Sequence, residues 1–272
     1  MRDAATPAEP LKLHHWGAPN FGDTLSRLVV ERVSGRRVVV VGPRQAELFA
    51  IGSLMHVAAK HFAVPRPGPR PILWGTGLLN PIFRREFLDN LDIRILRGPV
   101  GAAICRVPMR AFGDPGLFAP EAIGPVPARA DRVAVVPHHS QMADPAIAAM
   151  VARDPRLHLV DPRGAPEAVC AAIASSAHVV SASLHGLVVA DAYGVPSTWM
   201  DPAEQGRMKY LDYAASIGRP LLHPVAIDEV PALAPRAPTG PLPYAEGIAR
   251  AREALLTHFP AELRAGAAMT VA

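Results

Sequence analysis

Short apolar runs at residues 11–16, 38–41, 48–51, 71–74 and 93–96 alternate with longer stretches of helical period. The same alternation restarts at 133–136, 157–160, 179–181 and 197–200. Runs of this kind, bounded by Gly, Pro and polar turns, read as short buried strands. Helices are predicted over 24–33, around His56, over 83–90, from Pro99, over 143–151, 165–175 and 187–193, from about Gln205, and finally over 244–259. Strands alternating with helices predict parallel sheets covered by helices. The stretch 123–132, rich in Gly, Pro, Ala and Arg, separates the two series and reads as a linker. The expected fold is therefore α/β with two Rossmann-like lobes, over 11–125 and 130–230. Residues 1–10 are expected to be disordered. The stretch 231–243 is Pro-rich and irregular, and a helix within 240–265 packs back on the first lobe.

In parallel sheets a ligand lies beyond the carboxyl ends of the strands. The polar and Gly-rich stretches 17–23, 52–53, 75–77, 97–98, 113–116, 137–140 and 181–186 all fall at such ends. The most informative is Ser181-Ala-Ser-Leu-His-Gly186, which follows a strand and opens the apolar helix closed by Gly194-Val-Pro196. A strand turning directly into a helix aims free N–H groups at the space above the sheet edge, an anion site by construction. His185 stands at that turn, where an imidazole gives or takes a proton near neutral pH. Ser183 is placed to bind phosphate or hold the imidazole, and Gly186 completes the turn.

The other ends offer further chemistry. Asn20-Phe-Gly-Asp23 precedes a helix, so Asp23 is either its N-cap or a base for a sugar hydroxyl, and Gly22 lets backbone approach a ligand. Arg97-Gly-Pro99 sets a guanidinium between strand end and helix start, suited to bidentate binding of carboxylate or phosphate. His138 and Ser140 are further anion contacts, with His139 a weaker one. Arg207 and Lys209 bring two positive charges close if their loop folds back. Ser53, Gly75, Thr76 and Asp114 complete the set on the opposite side.

Composition narrows the partners. The 272 residues carry a net charge of +4, half of them are apolar, and thirty are proline. The charge favours anionic ligands or a membrane surface, yet no Lys/Arg block of the kind that tracks nucleic acid is present. The two cysteines, Cys105 and Cys170, lie in apolar helical surroundings and read as buried free thiols of a reducing compartment. No CxxC or His/Cys cluster points to a metal. No signal peptide or membrane span is apparent, which predicts a cytoplasmic protein.

The ordered set of motifs resembles the polysaccharide pyruvyl transferase family. It comprises Asn20-Phe-Gly-Asp23-Thr-Leu, Gly52-Ser-Leu-Met-His56, Trp74-Gly-Thr-Gly77, Asp92-Ile-Arg-Ile-Leu-Arg-Gly-Pro99, Gly113-Asp-Pro-Gly-Leu117, Val136-Pro-His138, Ser183-Leu-His-Gly-Leu187 with Ala192-Tyr-Gly-Val-Pro196, and Arg207-Met-Lys-Tyr-Leu-Asp-Tyr213. The chain looks most similar to the ketal-forming transferases of xanthan-type and succinoglycan-type exopolysaccharide synthesis. It departs in placing His139 directly after His138, and in being short. The resemblance implies a GT-B-like arrangement with the acceptor on the first lobe and phosphoenolpyruvate on the second. It maps the family's arginine and histidine onto Arg97 and His185.

It also implies phosphoenolpyruvate as co-substrate and no cofactor. The acceptor is a sugar of a lipid-linked oligosaccharide, with peripheral contact at the inner membrane face and no nucleic acid. His185 would donate a proton to the enol methylene, Arg97, Arg207 and Lys209 would neutralise the anion, and Asp23, or Asp114 in second place, would take the sugar proton. A GT-B glycosyltransferase using a nucleotide sugar is the alternative, since fold does not fix chemistry. A non-catalytic sugar- or phosphate-binding module would have no need of a proton donor.

Overall fold

The computed structural model describes residues 9–265 apart from 18, 222 and 234–239. The stretch 1–8, expected to be disordered, lies outside the described residues, as does the middle of the Pro-rich stretch. The first half runs β1 (Leu11–His14), α1 (Phe21–Ser34), β2 (Val38–Val40), β3 (Leu48–Phe49), α2 (Met55–His61), β4 (Ile72–Trp74), β5 (Asp92–Ile95), α3 (Pro99–Cys105) and α4 (Ala119–Ile123). Its strands form a five-stranded parallel sheet in the order β2-β1-β3-β4-β5. The second half runs β6 (Ala130–Val136), α5 (Pro145–Arg153), β7 (Leu157–Leu159), α6 (Pro166–Ala174), β8 (Ser176–Ser181), α7 (Leu184–Ala192), β9 (Ser197–Trp199) and α8 (Met208–Ile217). Its sheet is parallel too, in the order β7-β6-β8-β9. Two Rossmann-like lobes in a GT-B-like arrangement result.

The central strands carry near-continuous apolar runs because helices cover both faces. Leu11, Leu13, Ile72 and Trp74 of the first sheet share one core with Ala134, Val136 and Val179 of the second. That shared core is built around α1, whose Phe21, Leu25, Val29, Val30 and Val33 are buried between the sheets. The last helix, α9 (Ala245–Thr257), joins both halves. The Trp74 indole N–H donates to Leu255 O at 2.8 Å, while Ile248 and Ala251 pack with Leu187 and Tyr213.

A buried knot fixes the far side of α7. Asp191 accepts from Arg219 (2.8 Å), Tyr213 (2.9 Å) and Tyr244 (2.9 Å). These donors offset the cost of burying the carboxylate. The knot ties α7, α8 and the approach to α9 together, so the N-terminus of α7 is held in place from behind.

Four elements differ from the sequence expectation. The helix over 83–90 is only a 3-10 turn, Glu86–Asn90. β6 begins at Ala130 within the expected linker, its first three residues exposed. Both α1 and α7 begin three residues early, which changes the site.

Candidate functional site

A cleft of about 300 Å³ opens at the carboxyl ends of the strands, between the two sheets. From the first half it is lined by Trp16, Asn20, Asp23, Gly52, Ser53, Leu54, His56, Val57 and Leu79. The second half supplies His138, His139, Ser183, Leu184, His185, Gln205 and Lys209.

Asn20, not Asp23, caps α1: its backbone is extended and its Oδ1 accepts from Gly22 N–H at 3.2 Å. Asp23 is thereby freed in the first turn and faces the cleft while only 6% exposed. Gly52, at φ 113°, makes room for it; a Cβ there would lie 2.9 Å from Asp23 Oδ1. Burial pushes the Asp23 carboxyl up to about 7, against the pull of Lys209 and of the hydrogen bond from Asn20.

His185 lies in the first turn of α7, because the helix starts at Leu184. The turn before it is held by Ser181, whose Oγ accepts from Ser183 N–H at 3.0 Å and donates to Ser183 O at 2.8 Å. Gly186 serves this turn: a Cβ there would lie 2.2 Å from Ser181 Oγ, and the residue does not line the cleft. Ser183 lines it and makes no side-chain capping bond, so its hydroxyl and the first-turn amides of α7 remain available to an anion.

The His185 ring is packed on both edges. On one side it meets Gly22, where a Cβ would lie 1.9 Å from Nδ1. Gly22 therefore admits the imidazole, rather than a ligand, against the backbone. On the other side Nε2 is 3.9 Å from Asp114 Oδ2, and neither atom has a hydrogen-bond partner among the described residues. Burial, with Arg97 and Lys209 nearby, lowers His185 to about 3, so the ring is neutral in the free protein at pH 7.

The cation facing the cleft is Lys209. It is 8% exposed, and burial together with Arg97 lowers it to about 8, with Asp23 opposing. Its Nζ lies 5.1 Å from the Tyr210 ring centroid. Arg97 lies behind the wall. It is fully buried, with Nη2 3.2 Å from Asp212 Oδ2 and donating to Leu78 O at 2.8 Å, and Nη1 donating to Ser53 Oγ at 3.1 Å. The expected fork for a ligand carboxylate is occupied by the protein's own, because α8 brings Asp212 against the end of β5. Arg207 precedes α8, is exposed, and does not line the cleft.

His138 reaches the cleft with its ring 4.1 Å from that of His139, and its Nδ1 is 2.8 Å from Ser140 Oγ. Burial lowers it to about 3. Ser140 is exposed and outside the lining, so it orients His138. Gly75 packs on Pro115, where a Cβ would lie 2.3 Å from Cδ. Thr76 bridges Gly52 O (2.7 Å) and Leu54 N–H (3.0 Å). Asp114 is fully buried, with Oδ1 accepting from Gly116 N–H at 2.9 Å. These three shape the walls without lining them. Sequence reasoning passed over Trp16, Leu79 and Gln205 as site residues; only Trp16, two residues past β1, stood where a signal existed.

Among the described residues no cluster of three His, Cys, Asp or Glu side chains is placed to hold a metal. The arrangement offers one cation, a free helix N-terminus, a neutral imidazole and a buried acid: an anion site with proton-transfer groups. The model of a protein family described as polysaccharide pyruvyl transferase matches residues 15–204. The chain belongs to that family. No curated protein matches it significantly. The pyruvyl transferase match spans both lobes and takes in His185 and Asp23, but ends before Lys209. Lys209, and the Asp212 that engages Arg97, thus lie in sequence beyond the family model.

Proposed function

We propose that the chain transfers the enolpyruvyl group of phosphoenolpyruvate onto two hydroxyls of one sugar, forming a cyclic pyruvate ketal and releasing phosphate. Family membership supports pyruvyl transfer to a polysaccharide. The observation that carries the donor is the grouping of Lys209, the free first turn of α7 and His185 in one cleft. The phosphate and carboxylate are held by Lys209, the Ser183 hydroxyl and the α7 amides.

His185 in its protonated form gives a proton from Nδ1 to the methylene carbon. The electrons of the double bond form the new C–H bond and leave an oxocarbenium-like centre at the carbon bearing carboxylate and phosphate. A sugar hydroxyl adds there and its proton passes to Asp23. The C–O bond to phosphate then breaks, and a second hydroxyl of the same sugar closes the ketal. Of the two hydroxyl protons released, one replaces the proton given to the methylene and the other leaves with phosphate. The dianionic phosphate and the carboxylate restore the imidazolium that burial disfavours. General acid catalysis of this kind is worth about 10²–10⁴-fold.

The acceptor enters beside Trp16, 55% exposed at the mouth, whose ring gives a sugar an apolar face to lie on. In this reading the sugar belongs to a lipid-linked exopolysaccharide repeat unit, offered at the inner membrane face. No helix among the described residues is long and apolar enough to cross a membrane. The test is incubation with phosphoenolpyruvate and glycosides ending in mannose, galactose or glucose. Phosphate release and a pyruvate ketal by mass are expected. Thermal stabilisation by UDP or GDP but not by phosphoenolpyruvate would overturn the reading in favour of a nucleotide-sugar enzyme.

A further inference from the structure

We infer that Asp114 is a positioning residue for His185: on donor binding the Nε2–H of the imidazolium closes onto Asp114 Oδ2, which holds Nδ1–H toward the substrate. The inference rests on His185 being the proton donor. It explains two buried polar atoms left without partners, His185 Nε2 and Asp114 Oδ2, which face each other at 3.9 Å. Buried polar atoms are rarely left unpaired, and two aimed at one another point to a bond made in another state of the site. A hydrogen bond needs a closure of about 1 Å.

The surroundings allow that closure. Asp114 is anchored through Oδ1 at the head of the 3-10 turn Pro115–Phe118, so Oδ2 is held in place. That turn packs on α7, with Gly116 against Val188, so acid and base ride on adjoining rigid elements. Both groups are already enclosed, and an ion pair formed there is not weakened by water.

The charged groups facing the pair are Arg97, Lys209 and Asp212. Arg97 is matched by Asp212, so the surplus is Lys209, which the donor's anions cancel. Asp114, raised to about 6 by burial, is ionised at pH 7 and can receive the Nε2–H charge. Below that value it is protonated and can no longer hold the imidazolium as an anion.

Asp114→Asn separates this role from a structural one, because Asn still caps the 3-10 turn. The variant is expected to keep its melting temperature within a few degrees and its phosphoenolpyruvate KM within about threefold. Its kcat should fall on the order of 10²-fold or more. The decisive readout needs no turnover: the His185 titration followed by NMR with phosphoenolpyruvate bound and acceptor absent. The imidazolium pKa is expected to fall by about one unit or more in Asp114→Asn relative to the parent protein. An unchanged His185 titration overturns the inference, whether or not kcat falls. Full activity of His185→Gln would instead sink the acid assignment itself, while the titration still reports on the pair.

Discussion

Gly22→Ala separates catalysis from folding, and its outcome can be worked from distances. An alanine Cβ would lie 1.9 Å from His185 Nδ1, 2.3 Å from Cγ and 2.8 Å from Cβ. Ordinary contact begins near 3.4 Å, so the ring must retreat by about 1.5 Å. Toward Asp114 the gap of 3.9 Å closes by only about 1.1 Å before a hydrogen-bond distance is reached. The shortfall forces the imidazole out of its rotamer. Overpacking of this kind costs about 1–3 kcal/mol. Replacing a helical glycine by alanine returns up to about 1 kcal/mol. The net loss is about 3 kcal/mol at most, a melting temperature lower by up to roughly 6–12 °C for a chain of this size. The folded variant is expected to lose on the order of 10²-fold or more in kcat, since the acid is displaced. Differential scanning fluorimetry and phosphate release from phosphoenolpyruvate measure the two quantities side by side. A folded Gly22→Ala protein with parental kcat would show that His185 is not held against Gly22 during turnover.

Lys209→Met should raise the phosphoenolpyruvate KM about 10–150-fold, the worth of a charge-assisted hydrogen bond of about 1.5–3 kcal/mol, with kcat less affected; an unchanged KM removes Lys209 from the donor site. Arg97→Ala should act on stability, because it leaves buried Asp212 without its counter-charge at a cost of about 3–5 kcal/mol, or a fall of roughly 6–20 °C in melting temperature. An unchanged melting temperature with a donor KM raised a hundredfold would place Arg97 on the ligand after all. Asp23→Asn tests the buried acid through pH. The folded-state value is raised from 3.8 to about 7, so the protonated form is favoured by folding; that contribution is complete below pH 4 and disappears as pH rises through 7. Relative to the parent, Asp23→Asn should therefore be isostable near pH 4 and more stable above pH 7, by an amount on the order of 4 kcal/mol at most. Parallel stability curves across that range would show that Asp23 is not held in a dry site.

The strand-end logic was legible because it depends on period and punctuation alone. Runs such as 133–136 and 179–181 are apolar, bounded by polar turns, and parallel by virtue of the helices between them. What escaped it depended on contacts distant in sequence. Arg97 reads as a ligand fork until Asp212, 115 residues later, fills it. Asn20 and Asp23 are both good caps three residues apart, and the choice is made by the space above Gly52, which accepts Asp23. Gly186 reads as a turn residue, yet it is helical, and its missing side chain is needed for Ser181 Oγ. The strand start at Ala130 escaped because Asp131 and Arg132 are exposed and the pairing there is with Ser176 alone. Nothing local marks Leu79 or Gln205, which line the cleft only by the route of their loops.

The electrostatics of the cleft bear on how the proposed acid, His185, is held in neutral form in the free protein. Burial moves Asp23 up to about 7, Lys209 down to about 8 and His185 down to about 3, each toward its uncharged state. A site with these walls holds few charges at rest and so costs the fold less than fixed ions would. Behind the lining, Arg97 and Asp212 are matched to each other. An incoming phosphate and carboxylate reverse the balance: negative charge in a dry cleft favours the protonated forms of Lys209 and His185 together. In the proposed reaction, the proton needed for the methylene carbon is then drawn to His185 by the substrate that will receive it. A neutral imidazole in the free protein is thus compatible with an acid role, provided that the charge it gains has somewhere to rest, and Asp114 is the only carboxylate in the described structure within 4 Å of its Nε2.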